Sequence, residues 1–220
     1  GPIDHWATFW RYITSGNADP TGRPLTLLTF LIDARDWPAA PYPFKVTNVL
    51  VHLLNGALLA AVLLKLGSVL RLSPRQARLA ALFGAGAWLL HPLLVSTTLY
   101  IVQREAMLPA MFVLIGMLGW MASREALLRG QTRRALVGMA LSAWVCTALA
   151  LLCKANGALL PLLLLLTEWI VLSRRPMPSA ETSRWHRRAV GAFLAVPGAL
   201  VLAYLLYLLP HSFNAIIDGR

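Results

Sequence analysis

The sequence predicts an all-α, polytopic membrane protein with about six transmembrane helices and one amphipathic helix outside the bilayer. Three observations carry this reading. Apolar residues make up 58% of the chain, and the mean hydropathy is +0.63. Six nearly uncharged runs follow one another, each about as long as the roughly 20 residues a helix needs to cross a hydrocarbon core at about 1.5 Å per residue. Most basic residues fall in short loops between those runs, where they set topology.

Residues 1–43 form an external segment. Within it, Thr26, Thr29, Asp33 and Asp36 recur at spacings of helical period, with Leu25, Leu28, Leu31 and Ile32 on the other side. That pattern predicts an amphipathic helix over 24–37, lying on the membrane surface and presenting a solvated acidic face. The turn Pro38–Pro43 closes it. The transmembrane domain follows over 44–220, with helices expected at about 44–66, 79–101, 105–122, 134–153, 156–173 and 189–210. The first is bounded by Lys45 and Lys65, the second carries His91-Pro92, and the third starts after Gln103-Arg104-Glu105. The fourth and fifth meet at Lys154-Ala155-Asn156-Gly157, where a glycine suits a tight turn. The fifth holds Glu168 near its inner end, and the sixth follows the basic stretch Arg184–Arg188.

If the six runs alternate, one side receives Lys65, Arg71, Arg75, Arg78, Arg124, Arg129, Arg133, Arg134, Arg174, Arg175, Arg184, Arg187 and Arg188. By the positive-inside rule this side is cytoplasmic. The other side holds Arg23, Lys45, Arg104 and Lys154 with most of the acids, including Asp4, Asp19, Asp33, Asp36, Glu105 and Asp218. The net charge of +11 is therefore assigned to topology and to anionic lipid, and not to nucleic acid. The chain opens Gly1-Pro2-Ile3 on what is expected to be the outer side. An upstream transmembrane helix is expected to have carried it there, so the chain reads as an internal fragment.

Cys146 and Cys153 lie seven residues apart on one helix. The rise puts them about 10.5 Å apart, too far for a disulfide, so they read as small core residues. The sequence carries no metal-ligand spacing, phosphate-binding loop or dinucleotide fingerprint.

Ionisable groups at membrane depth are costly and each requires a reason. Lys45, Asn48, His52 and Asn55 fall on one face of the first helix, opposite Val46, Leu50, Leu54, Ala57 and Ala61. Either the stripe lines a polar cavity open to the outside, or its asparagines hydrogen-bond between helices. His91-Pro92 predicts a kink. Arg104 either pairs with Glu105 or holds a phosphate through its fork. Lys154 either snorkels or joins that site. Glu168, beside Trp169, is expected to pair at the inner interface.

Taken together and in order, Gly22-Arg23-Pro24-Leu25-Thr26, Phe44-Lys45-Val46-Thr47-Asn48 with His52 and Asn55, His91-Pro92, Val102-Gln103-Arg104, and Lys154-Ala155-Asn156-Gly157 with Glu168-Trp169 resemble the transmembrane, tetratricopeptide-repeat-containing O-mannosyltransferases, more closely their bacterial relatives. These are GT-C class membrane glycosyltransferases, and the likeness spans roughly 22–170. It implies a GT-C-like fold in a bacterial inner membrane and transfer of a sugar from a polyprenyl-phosphate-type lipid to a protein or glycan acceptor on the periplasmic side. It implies a catalytic acid in the first external loop, acting as base or as ligand of a divalent metal ion. This chain begins beyond that motif. Ser96 stands where animal members carry an acid, and Ala155 where they often carry a glutamate.

The residues expected to meet the donor phosphate or line the cavity are Arg23, Lys45, Asn48, His52, His91, Gln103, Arg104 and Lys154. Asp33 and Glu105 are the fallback catalytic acids. Two other readings stand beside the transferase: a transporter of a lipid-linked anion, and a non-catalytic membrane scaffold or assembly factor.

Overall fold

A computed structural model describes residues 5–15, 22–34 and 38–217, with side chains to residue 207. Every element in it is helical. The helices are α1 (Trp6–Ile13), α2 (Pro24–Asp33), α3 (Pro41–Val69), α4 (Pro74–Leu89), α5 (Leu94–Leu99), α6 (Arg104–Leu128), α7 (Thr132–Ala140), α8 (Cys146–Cys153), α9 (Leu160–Ile170), α10 (Ala180–Val190) and α11 (Val196–Ile217). A π-helical turn at Leu141–Val145 joins α7 to α8, and another at Gly191–Ala195 joins α10 to α11. Counted as continuous helical segments, five are long and apolar enough to cross a membrane: Pro41–Val69, Ile101–Leu128, Thr132–Cys153, Ala155–Arg174 and Ala180–Tyr207.

The expected second span, 79–101, is the exception. α4 starts earlier, at Pro74, because Ser73 caps it: its hydroxyl accepts from the Gln76 amide while Gln76 reaches back to the Ser73 amide. The helix then ends at Leu89, and the chain turns through His91-Pro92 before the short α5. Proline has no N–H to continue the ladder and disfavours helical geometry at the residue before it, so the sequence here gives a break where a kink was expected. The His91 ring Nδ1 accepts the Leu93 amide at 3.3 Å, which starts the next turn.

The broken segment still carries the chain back along α3. Ala77 packs at Gly67, Leu63 at Gly84, and Leu89 at Gly56, so α4 runs antiparallel to α3. Tyr100 and Ile101 then reach the level of Asn48. From Gly67 to Asn48 is about 28 Å of helix, close to a hydrocarbon thickness. α6 consequently starts beside the beginning of α3 and runs parallel to it, Asn55 meeting Met107 and Lys65 meeting Glu125.

The helices approach closely because their seams are built from small residues. Ala81, Ala85, Ala135, Ala143 and Ala150 are buried. At Gly157 the neighbour is backbone: a Cβ there would sit 2.4 Å from the Ala150 carbonyl carbon, so a side chain at this turn forces the backbone to shift. The apolar core lies toward one end, around Trp120, Leu127, Met139, Leu160, Leu164 and Leu194. The outside of the bundle is apolar as well, with Leu50, Leu54, Leu82, Phe83, Trp144 and Leu200 exposed, as a lipid-facing surface requires.

The amphipathic helix is shorter than expected and oriented the other way. It covers 24–33; residues 35–37, and with them Asp36, lie outside the described residues. Thr26 and Asp33 are buried, whereas Leu28 and Ile32 are exposed. The polar stripe therefore faces the bundle, because the ends of α3, α6 and α8 offer it partners, and the leucine side is turned outward.

Candidate functional site

Two clusters of ionic side chains sit at opposite ends of the bundle. The first is centred on Arg104, which has no exposed surface. Its Nε donates to Asn48 Oδ1 at 2.8 Å, Nη1 to the Thr29 carbonyl at 2.9 Å, and Nη2 to Asp33 Oδ2 at 2.5 Å and to the Phe44 carbonyl at 3.0 Å. The rings of Phe30 and Phe44 lie 4.9 and 5.8 Å from the guanidinium carbon. Asp33 has its other oxygen filled by the Thr47 hydroxyl at 2.7 Å. Thr26 donates to the Cys153 carbonyl at the end of α8. Through these bonds α2 is fastened to α3, α6 and α8.

This geometry corrects two expectations. Arg104 pairs with Asp33 and not with Glu105, and its hydrogen-bonding fork is spent on protein oxygens. Asp33, buried and held by both oxygens, is not poised as a base. Among the described residues no group of three or more His, Cys, Asp or Glu side chains comes together as a metal site. With Asp33 committed to Arg104, these residues do not fit a divalent ion, and no step is assigned to one.

The polar stripe on α3 is also sealed. Asn48 donates toward the Tyr100 and Ile101 carbonyls, the latter two flanking the start of α6. Asn55 donates to the Met107 carbonyl at 2.9 Å. His52 Nε2 lies 3.0 Å from the Leu89 carbonyl, and its ring stacks on Trp88 at 4.8 Å. That carbonyl belongs to the last turn of α4, and the Leu93 amide that would meet it in a continued helix goes to His91 Nδ1 instead. Asn48, His52 and Asn55 thus join helices, while Asn55 Oδ1 is buried with no hydrogen-bond partner among the described residues. Lys45 is exposed at the end of α3, and His91 is exposed in the α4–α5 break. Gln103 is half-buried in the 3₁₀ turn before α6.

Arg23, Glu105 and Lys154 do come together. Arg23 Nη1 bonds Glu105 Oε2, and Lys154 Nζ donates to Oε1 at 3.1 Å. Arg23 stands in a left-handed backbone conformation (φ 57°) just before α2, and Lys154 in extended conformation between α8 and the 3₁₀ turn. Glu105 opens α6, where the helix N-terminus favours a carboxylate. The side chains of Arg23 and Lys154 keep 20% and 30% of their surface, so they can meet a ligand that the buried Arg104 cannot.

The second cluster lies at the end of the bundle where the α3–α4 turn, the α6–α7 turn and the segment between α9 and α10 gather. Glu168 accepts from Trp120 Nε1 at 3.0 Å and Arg124 Nε at 2.8 Å, and meets His186 Nε2 at 2.9 Å. Arg124 also donates to the Arg175 carbonyl at 2.8 Å. Lys65 and Glu125 pair at 2.8 Å alongside. Glu168 therefore pairs at this end, as expected, but more deeply than its position near Trp169 implied. The sequence reading did not single out Trp120, Arg124 and His186. The signal was available: Trp120 and Arg124 are four apart on one helical face, and an acid in one apolar run needs a cation from another.

The fold and its two ionic ends define a helical bundle built to sit in a membrane. In comparisons with known protein families, with curated proteins and with solved structures, the chain matches none.

Proposed function

We propose that the protein is an integral-membrane glycosyltransferase of GT-C type, and that this chain forms the donor-phosphate half of its site on the periplasmic side. The observation that supports this is the convergence of Arg23 and Lys154 on Glu105, at the end of the bundle remote from the basic loops. A polyprenyl-phosphate leaving group gains negative charge as its sugar departs. Two partly exposed cations side by side would stabilise that charge. Glu105 serves as the counter-ion that keeps both cations in place between turnovers. Arg104 and Asp33 act beneath them as the tie that holds α2, and so Arg23, against the bundle. The acceptor hydroxyl needs a carboxylate base within hydrogen-bond reach.

The α3 stripe favours a second reading, a non-catalytic membrane scaffold, because Asn48, His52 and Asn55 each bond a backbone carbonyl of a neighbouring segment. Transfer assays separate the two. The full-length gene product, in membranes supplied with polyprenyl-phosphate sugars, is expected to glycosylate protein. Lys154→Gln and Arg23→Gln are expected to slow transfer at least tenfold while leaving thermal stability within a few degrees of the parent. Unchanged transfer in both variants would remove this cluster from the donor site, and no transfer from any lipid-linked donor would favour the scaffold.

A further inference from the structure

A groove of about 790 Å³ runs between α9 and α10 at the basic end of the bundle, away from the proposed donor site. Its walls are apolar: Leu165 and Leu166 from α9, Val190 and Gly191 from α10 and the π turn. Gly191 has open space where a Cβ would be, so the absence of a side chain leaves the groove clear at this point. Trp169 lies at the lip, three-quarters exposed, as an aromatic side chain at a membrane interface does. Such a groove, open sideways on an apolar surface, suits a hydrocarbon chain.

Its polar end carries a positive charge. Glu168 lines the groove but is already neutralised by the buried Arg124 and held by Trp120 and His186. Arg187 also lines it, exposed, donating only to the Ser183 hydroxyl at 3.3 Å. Arg184 stands three residues earlier, on the same side of α10. The helix ends and turns here carry thirteen basic residues, from Lys65 to Arg188, against the acids Glu125, Glu168 and Glu181.

We propose that this groove binds one anionic phospholipid, with an acyl chain along Leu165, Leu166 and Val190 and the phosphate at Arg187. Basic pockets between helices on the cytoplasmic side are suited to anionic headgroups. The occupant must supply both halves: an apolar chain for the walls and a negative headgroup for the arginine.

Native mass spectrometry of the purified chain in detergent, with phosphatidylglycerol competing against phosphatidylcholine of the same acyl chains, tests this. One phosphatidylglycerol is expected to be retained. Arg187→Gln is expected to lower its retention about fivefold, the factor equivalent to the roughly 1 kcal/mol of one cation near an anionic surface. Arg75→Gln, at the same end but off the groove, is expected to leave retention unchanged. Gly191→Leu fills the groove from one wall and Leu166→Trp from the other, and whichever variant stays monodisperse and helical is expected to lose the lipid. Equal loss in Arg75→Gln and Arg187→Gln would mean diffuse attraction and overturn the site. Equal retention of phosphatidylcholine would remove headgroup recognition. Displacement by soluble glycerol phosphate, or retention in a filled groove, would show that the chain does not lie there.

Discussion

Removing Arg104 is expected to unfasten the outer end of the bundle. The Arg104→Ala change leaves the Asp33 carboxylate, 8% exposed, without its cation, and Asn48 Oδ1 and the carbonyls of Thr29 and Phe44 without a donor. Breaking a buried pair by deleting one partner costs about 3–5 kcal/mol, because the remaining charge is stranded out of water. At about 2–4 °C per kcal/mol for a chain of this size, the unfolding midpoint should fall by roughly 6–20 °C. Asp33 has a second hydrogen bond from Thr47, which keeps the expected loss from being larger. Thermal unfolding in detergent, followed by tryptophan fluorescence, reads this directly. The double variant Arg104→Leu with Asp33→Leu removes both charges together and should recover much of the loss, giving a coupling of about 1–3 kcal/mol. A midpoint for Arg104→Ala within 2 °C of the parent would refute the reasoning, and so would losses that simply add in the double variant.

Two further outcomes follow from the same geometry. Gly157→Ala places a methyl 2.4–2.7 Å from the Ala150 carbonyl atoms and should destabilise the α8–α9 turn by about 1–3 kcal/mol, measured by the same unfolding assay; an unchanged midpoint would refute the close approach of Gly157 to Ala150. A phosphatase or fluorescent reporter inserted at Gly130, in the basic loop after α6, should report the cytoplasmic side, and the opposite signal would reverse the orientation assigned to both ionic clusters.

How far the fold was legible follows from what each residue type can signal on its own. The spans at 105–122, 134–153, 156–173 and 189–210 were legible because an uncharged run of that length has few other uses in a folded chain. Their ends were less so: α6 continues to Leu128 and α10 begins at Ala180, since the charged residues taken as loop are tolerated in helices where they find partners. Arg124 is the instructive case, an arginine counted as a topological charge that lies buried on Glu168. The break at His91-Pro92 was visible as a proline, but whether a proline kinks or ends a helix depends on the packing around it.

The site was half legible for a related reason. Periodicity correctly grouped Asn48, His52 and Asn55, and grouped Thr26, Thr29 and Asp33, but a stripe of polar residues is the same pattern whether it faces water, lipid headgroups or another stripe. The two stripes meet through Arg104, which bonds Asn48 from the first and Thr29 and Asp33 from the second. Only the fold could reveal that. An arginine aimed at a ligand and an arginine tying three helices together carry the same side chain, and what distinguishes them is how many of its donors the protein itself consumes. By that criterion Arg104 is structural, while Arg23 and Lys154, which share Glu105, keep part of their side chains exposed. The same criterion at the other end separates Arg124, spent on Glu168 and the Arg175 carbonyl, from Arg187, which faces the groove with a single bond to Ser183. Each end thus places in its interior an arginine bonded through several donors, Arg104 at one and Arg124 at the other, and keeps partly exposed cations nearer its surface.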